Sequence, residues 1–351
     1  MELTGFIIAI LISFYMLAQV TDAYFIPALE RISERYKIAS DVAGTTLMAM
    51  GSSAPELFIA LVAVFRPGGH EEIGMGTIVG SALFNILVII GAASLARKAT
   101  LAWQPVVRDV FFYLVSIGIL GIVFYTTTIT LMESILLLGL YLVYIFAVMK
   151  WKKWFPYKDD AVQVEKPLHT IRSKRYRFFR KLVKPFDYAV GLSFPSLKFH
   201  WGVFFISLVW ISFLSWVLVE SAIKLSYALQ VPEAIIALTV LAVGTSVPDL
   251  ISSYLVAKDG KGGMAVSNAI GSNIFDVLVG LGLPWFIALV FLQKDVEVLT
   301  QNLFTSVVLL FGSVIIVFVL IALRKWVIKP QTGFILIGIY IAYLVWQVWP
   351  G

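Results

Sequence analysis

Cysteine is absent from this chain, so disulfides and thiolate metal sites are excluded. Charge is scarce: Asp, Glu, Lys and Arg together make 14% of 351 residues, far below the share a soluble domain carries. Histidine occurs three times, at His70, His169 and His200, all in predicted loops or at their edges, which excludes an imidazole cluster of the kind copper or zinc prefers. What fills the chain is apolar: 60% hydrophobic residues, 14% aromatics and a mean hydropathy of +0.92. Such a chain belongs in a membrane.

A hydrocarbon core about 30 Å thick needs about 20 apolar residues per helix. That window gives ten predicted spans, near 3–24, 42–65, 73–96, 109–127, 131–149, 202–226, 233–257, 264–292, 302–323 and 332–349. The first begins almost at Met1 without a basic leader or a small-x-small cleavage site, so it reads as a retained helix. The fold class expected is all-α, a polytopic membrane protein of ten helices in two five-helix halves: 1–150, a basic connector 151–200, and 201–351.

Residues 150–198 hold thirteen of the twenty-seven Lys and Arg, including Arg172, Lys174, Arg175, Arg177, Arg180, Lys181 and Lys184. The positive-inside rule makes this loop cytoplasmic and both termini external. Eleven further basic residues, from Arg31 to Lys329, then fall inside, Arg108 among them as a loop residue, and only Arg66, Lys224 and Lys294 fall outside. Interleaved Tyr176, Phe178 and Phe179 suit contact with anionic lipid; nucleic acid is not needed to explain the charge.

A motif recurs. The stretch MGSSAPE at 50–56 is echoed by VGTSVPD at 243–249, and GTIVGSALFN at 76–85 by SNAIGSNIFD at 267–276. Five helices per half is an odd number, so the second copy must cross the membrane inverted. Inverted repeats whose helices carry Gly and Pro at corresponding positions point to a transport site near the midplane. Packing of small residues accounts for Gly76 and Gly80 but not for Glu56, Asp249 and Asp276, since an acid at a helix centre costs about 2.5 kcal/mol or more on insertion scales.

Pro55 and Pro248 remove backbone donors, which is expected to unwind both helices and leave bare carbonyls around Ala49 and Ala242. Beside them stand the hydroxyls of Ser52, Ser53, Thr245 and Ser246. Partner helices supply Ser81 with Asn85 and Ser272 with Asp276, each pair four apart on one face. This all-oxygen set suits hard cations such as calcium and sodium. Three carboxylates, formally about −3, would admit one divalent and one monovalent ion or several sodium ions, and competition between those loads is a basis for exchange.

The paired segments resemble the two alpha repeats of the calcium/cation antiporter superfamily, and specifically of the potassium-dependent sodium/calcium exchangers. The likeness extends to LAWQPVVRDVFFYLVSIGIL at 101–120 and FIPALERIS at 25–33. It implies sodium-driven calcium antiport without a cofactor. Glu56 and Asp249 are then the central ligands, and Ser52, Ser53, Thr245, Ser246, Ser81, Ser272 and Asn85 the supporting oxygens. Asp276 stands where potassium-dependent members carry an acid and animal potassium-independent ones an Asn. Unlike the animal exchangers, the chain is expected to lack an N-terminal extension, and it has too short a central loop for folded calcium sensors and Gly263 in place of a frequent Asp.

Four other readings stay open. A potassium-independent sodium/calcium exchanger or a proton/calcium antiporter would use the same acids, because buried carboxylates also carry protons. A passive channel would need weak sites spread along a pore, not acids at one depth. An intramembrane aspartyl protease would use Asp249 and Asp276 as a dyad, but neither lies in a Gly-x-Gly-Asp stretch. No enzyme activity and no protein partner is implied. Asp22, Glu133, Glu220 and Lys224 read as groups near helix ends, with Lys224 one turn from Glu220 and able to pair with it. Asp22 is singled out because its helix and 202–226 are the elements expected to slide past the ion-binding core.

Overall fold

The computed structural model describes residues 2–36, 49–156, 187–188, 190–196, 199–297 and 301–348. Helix α1 covers Leu3–Arg35; a one-turn helix, Ala49–Ser52, leads into α2, Ala54–Phe65; α3 covers Glu71–Ala96. There follow α4 (Trp103–Thr126), α5 (Leu131–Trp154), α6 (His200–Leu229), α7 (Glu233–Lys258), α8 (Gly262–Val290), α9 (Gln301–Leu323) and α10 (Pro330–Val348). All but α2 and α10 are long and apolar enough to cross a bilayer, so eight of the ten predicted spans meet that measure among the described residues. The protein is an all-α, multi-pass membrane protein. Residues 42–48 of the second predicted span lie outside the described residues, as do His169, Trp349 and the basic run Arg172 to Lys184 with Tyr176, Phe178 and Phe179.

Loops that hairpin alternation assigns to one membrane side meet one another. Between α3 and α4, strand β1 (Ala99–Thr100) pairs antiparallel with β2 (Val327–Ile328), between α9 and α10. At the opposite ends Thr128 bridges to Glu297, and the Lys294 ammonium pairs with Glu71 while donating to the Val64 carbonyl. Each contact joins ends that carry the same predicted side.

Charges near helix ends find specific partners, and three expectations change. Arg108 is no loop residue: α4 starts at Trp103, and Arg108 is buried with its Nε 2.7 Å from Asp109, whose carboxylate also accepts from Tyr144 of α5. A buried guanidinium is tolerated there because a carboxylate and an aromatic face compensate it. Glu220 pairs with Arg66 at 2.7 Å and not with Lys224, which lies over the Phe6 ring. His70 is no solvated residue, since its Nδ1 stands 2.9 Å from Glu233 at the start of α7. Glu133 does sit at a helix end, where it closes a capping box with Thr130 at the start of α5.

Apolar packing divides into two main clusters. One gathers Ile10, Leu17 and Val20 of α1 with Ile211, Leu214 and Leu218 of α6, and reaches Ile59 of α2 and Leu241 of α7. The larger one fills the space among α3, α4, α5, α8, α9 and α10, from Ile78 and Tyr113 to Trp285 and Tyr340. Helices α2, α3 and α7 share side chains with both and form the seam. Small residues let the seam close. Gly74 lies on Ala60, Gly76 on Ala237 and Gly80 on Leu238 and Ala242, the close approach expected of small-residue helix contacts in membranes.

A Cβ at Gly80 would stand 2.6 Å from that of Ala242 and closer still to the Leu238 carbonyl, whereas one at Gly118 meets nothing within 4 Å. Gly80→Ala is therefore expected to destabilise the protein by about 1–3 kcal/mol through overpacking. Gly118→Ala should leave it unchanged or slightly firmer. Thermal unfolding of the two variants in detergent, followed by retention of the monodisperse chromatographic peak, checks the contrast.

Candidate cation site

Site residues come from α2, α3, α7 and α8, each helix bent or widened where it meets the others. The chain leaves the regular helix at Ser53 (φ −89°, ψ 3°) and restarts at Ala54 with Pro55 in the first turn, where a missing N–H costs nothing. Glu56 follows in that first turn, favourably placed for a negative charge at a helix N-terminus. Pro248 behaves differently. It sits inside α7, whose helix continues through it, so the expected symmetric unwinding is found only in the first motif. The irregularity of α7 lies earlier, in a π-helical turn over Ala237–Leu241.

Such turns recur at the site. Asn85–Ile89 in α3 and Asp276–Leu281 in α8 are π-helical, and each begins on the ligand residue predicted from the repeat. A fourth turn, Thr21–Phe25 in α1, contains Asp22. π-turns within α-helices are rare and frequent at functional sites, because the wider turn leaves backbone groups and side chains re-aimed.

Glu56 is 3% exposed, Asp276 1% and Asn85 2%. Asp276 lies within electrostatic reach of both Glu56 and Asp249, with Ser53 beside Asp276 and Thr245 beside Glu56, so residues from α2, α7, α8 and the first break meet at one place. Asp249 is half-buried and faces a cleft shared with Ser52 and Thr245. Ser81 and Ser272 are buried, and each donates to the carbonyl three residues back, Ile78 at 3.0 Å and Ala269 at 3.3 Å. The equivalent serines of the two motifs thus take the same local conformation.

The Ala49 and Ala242 carbonyls are not bare. The Ser53 amide donates to Ala49 at 3.0 Å and the Ser52 hydroxyl at 3.3 Å; the Thr245 hydroxyl lies 3.4 Å from the Ala242 carbonyl and 3.1 Å from that of Leu241. The expectation misplaced the effect of the ring: a proline within a helix deprives the carbonyl four residues earlier, which for Pro248 in α7 means Gly244.

Four oxygens in this region are buried without a hydrogen-bond partner among the described residues: Glu56 Oε2, Asn85 Oδ1, Ser246 Oγ and Asp276 Oδ1. Buried polar atoms are rarely left so, and each such atom in a native structure calls for a missing partner. Three of the four can only accept, or are carboxylate oxygens when ionised. Among the described residues, no basic side chain is among the groups that act on Glu56 or Asp276. No three Asp, Glu or His side chains among the described residues converge closely enough to hold a metal by themselves. A cation here would combine carboxylates with hydroxyl, amide and carbonyl oxygens, the mixed set that sodium and calcium accept.

Two residues missed from sequence belong to the site. Asn273 is fully buried; it accepts from Asn85 Nδ2 at 2.8 Å and donates to the Ala82 carbonyl at 3.1 Å, locking α3 to α8 and orienting Asn85. Its signal was a break in the repeat, since Ala82 holds the matching position in GSALFN against GSNIFD. Tyr113 of α4, also fully buried, stands beside Asn273 and Asp276. Nothing in its hydrophobic surroundings marked it.

Comparison with known proteins places the arrangement. The family described as "Sodium/calcium exchanger protein" matches residues 6–150 and 199–349. Sodium/potassium/calcium exchanger 2 of Gallus gallus is 30% identical, over 97% of this chain and 76% of that protein. Sodium/potassium/calcium exchanger 5 of Homo sapiens is 32% identical, over 96% and 82%. Among solved structures, the sodium-calcium exchanger NCX_Mj aligns with a TM-score of 0.59 at 21% identity, over 99% of this chain and 100% of that one. The H+/Ca2+ exchanger CAX aligns with a TM-score of 0.72 at 14% identity, over 99% and 82%. These two likenesses show the fold.

Asn273→Ala should cost about 1–3 kcal/mol, since it strands the Asn85 amide and the Ala82 carbonyl in a buried place. Asn273→Asp should be worse unless a cation is supplied. Thermal unfolding of both variants in detergent, with choline, sodium or calcium chloride, is the check; equal melting of Asn273→Ala and the parent would remove the locking role.

Proposed function

The chain belongs to the sodium/calcium exchanger protein family, and from that premise we propose that it is a secondary-active antiporter that exchanges sodium for calcium, with potassium carried alongside calcium. Members of this family move ions and are not enzymes. One observation carries the reading: four buried oxygens, two of them on the acids Glu56 and Asp276, lack partners among the described residues, and no basic side chain among those residues acts on the two acids. A cation supplies what they lack.

Glu56 and Asp249 are the central ligands for calcium or sodium in this proposal. Ser52, Ser53, Ser81, Asn85, Thr245, Ser246 and Ser272 complete the shell, with the Ala49 and Ala242 carbonyls available when the neighbouring hydroxyls turn away. Asp276 neutralises a monovalent companion, which is why potassium cotransport is proposed; the names of the sodium/potassium/calcium exchangers that the chain resembles support the same choice. An empty centre holds uncompensated negative charge and is reluctant to cross the apolar barrier, whereas either loaded form reorients, so flux is coupled. The reorienting element proposed is the α1 and α6 pair, which shares one apolar cluster. The chain is placed in the cytoplasmic (plasma) membrane with both termini outside and the 150–200 loop cytoplasmic, where that loop meets anionic lipid.

Radiolabelled calcium uptake into sodium-loaded proteoliposomes tests this. Uptake is expected to require internal sodium and external potassium, to disappear in Glu56→Gln, and to lose its potassium requirement in Asp276→Asn. Uptake driven by sodium but indifferent to potassium would remove cotransport. Uptake driven by a proton gradient alone would replace sodium by protons.

A further inference from the structure

Asp22 falls outside both repeat motifs, on the π-turn Thr21–Phe25 of α1. That turn forms one wall of a cleft in which Ala18, Thr21 and Asp22 face Ser52, Thr245 and Asp249. Phe14 caps the cleft by lying on Gly244, where even a Cβ would collide with its ring. Acids from two different packing units thus line one space, and no Lys, Arg or His is among its described lining residues. A second observation points to a ligand: Thr21 is 4% exposed, and its hydroxyl, on the cleft wall, has no hydrogen-bond partner among the described residues.

We propose that this cleft is a second cation subsite, distinct from the Glu56 and Asp276 centre, where a partly hydrated monovalent cation is held by the Asp22 carboxylate, the Thr21 hydroxyl and Asp249. Five described lining side chains offer oxygen, two of them carboxylates, and the Ser52 and Thr245 hydroxyls already donate to the Ala49 and Leu241 carbonyls, so a monovalent ion that keeps some of its water fits the cleft. Asp249 touches both places, which makes the cleft an antechamber to the inner centre. Because Asp22 rides on α1, its distance from Asp249 changes if α1 moves, so occupancy of this subsite would favour one position of that helix. The inference rests on the exchanger reading for its role in transport, while the binding itself can be tested without it.

The absence of cysteine provides the test, because Ala18→Cys puts a single thiol in the cleft wall. In purified protein, its reaction with a cationic methanethiosulfonate reagent is timed in sodium chloride and in choline chloride. Sodium at ten times its dissociation constant should slow the reaction about tenfold. That protection should vanish in Ala18→Cys with Asp22→Asn, return with Asp22→Glu, and persist with Glu56→Gln. Protection unchanged by Asp22→Asn, or lost equally in Glu56→Gln, would overturn the subsite. Sodium-driven calcium uptake by unmodified protein is measured in parallel. Its absence would sink the exchanger reading, while the thiol rates would still decide the subsite.

Discussion

Uncompensated acceptor oxygen, buried at the meeting of four helices, is the constraint on which the rest of the structure depends. An ionised carboxylate moved out of water loses several kcal/mol even after its surroundings relax, and Glu56 and Asp276 are both nearly inaccessible. Elsewhere in the protein the same problem is solved internally: Asp109 has Arg108 and Tyr144, Glu220 has Arg66, Glu71 has Lys294. At the centre it is left open. The helix start beneath Glu56, the Ser53 and Thr245 hydroxyls and the asparagine pair across α3 and α8 moderate the charge without neutralising it. In the proposed exchanger, that remaining negative charge is what a transported ion would complete.

Packing explains how such a centre is held without being rigidly sealed. Helices α3 and α7 approach through Gly76, Gly80, Ala237 and Ala242, so the faces that carry the candidate ligands are fixed by backbone contact. On the other side, α1 and α6 lean on one another and reach the site through α2 and α7. Two ion pairs and a histidine–carboxylate contact gather at one end of the molecule: Arg66 with Glu220, Lys294 with Glu71, and His70 with Glu233. Two of these contacts tie the connector after α2 to α6 and α7. Polar and reversible, such contacts are suited to link elements that shift relative to one another.

Much of this was legible in the sequence because it depends on period and composition. The apolar windows marked the helices, and the repeat marked Glu56, Asn85, Asp249 and Asp276, since acids and amides stand out against an apolar background. Less legible was whatever depends on a partner. Hydropathy counts Arg108 as a charge and so pushed the start of α4 past it, although Asp109 and Tyr144 bury it. Pro55 and Pro248 occupy matching positions, yet only the first coincides with a break, and the widened turn that precedes the second has no sequence signature. Asn273 showed itself only as a mismatch between the two repeats. Asp22 could be singled out by its helix, but its cleft became visible only once α1 was placed beside α7.

If the orphaned oxygens are ligands for exchanged cations, then calcium and sodium must compete for them in the resting protein, before any transport occurs. Equilibrium binding of radiolabelled calcium to the purified protein, titrated with sodium chloride against choline chloride at constant ionic strength, measures this most directly. The account predicts that sodium displaces calcium completely, with a dependence steeper than first order because more than one sodium ion replaces each calcium. Calcium binding that sodium leaves unchanged would contradict it.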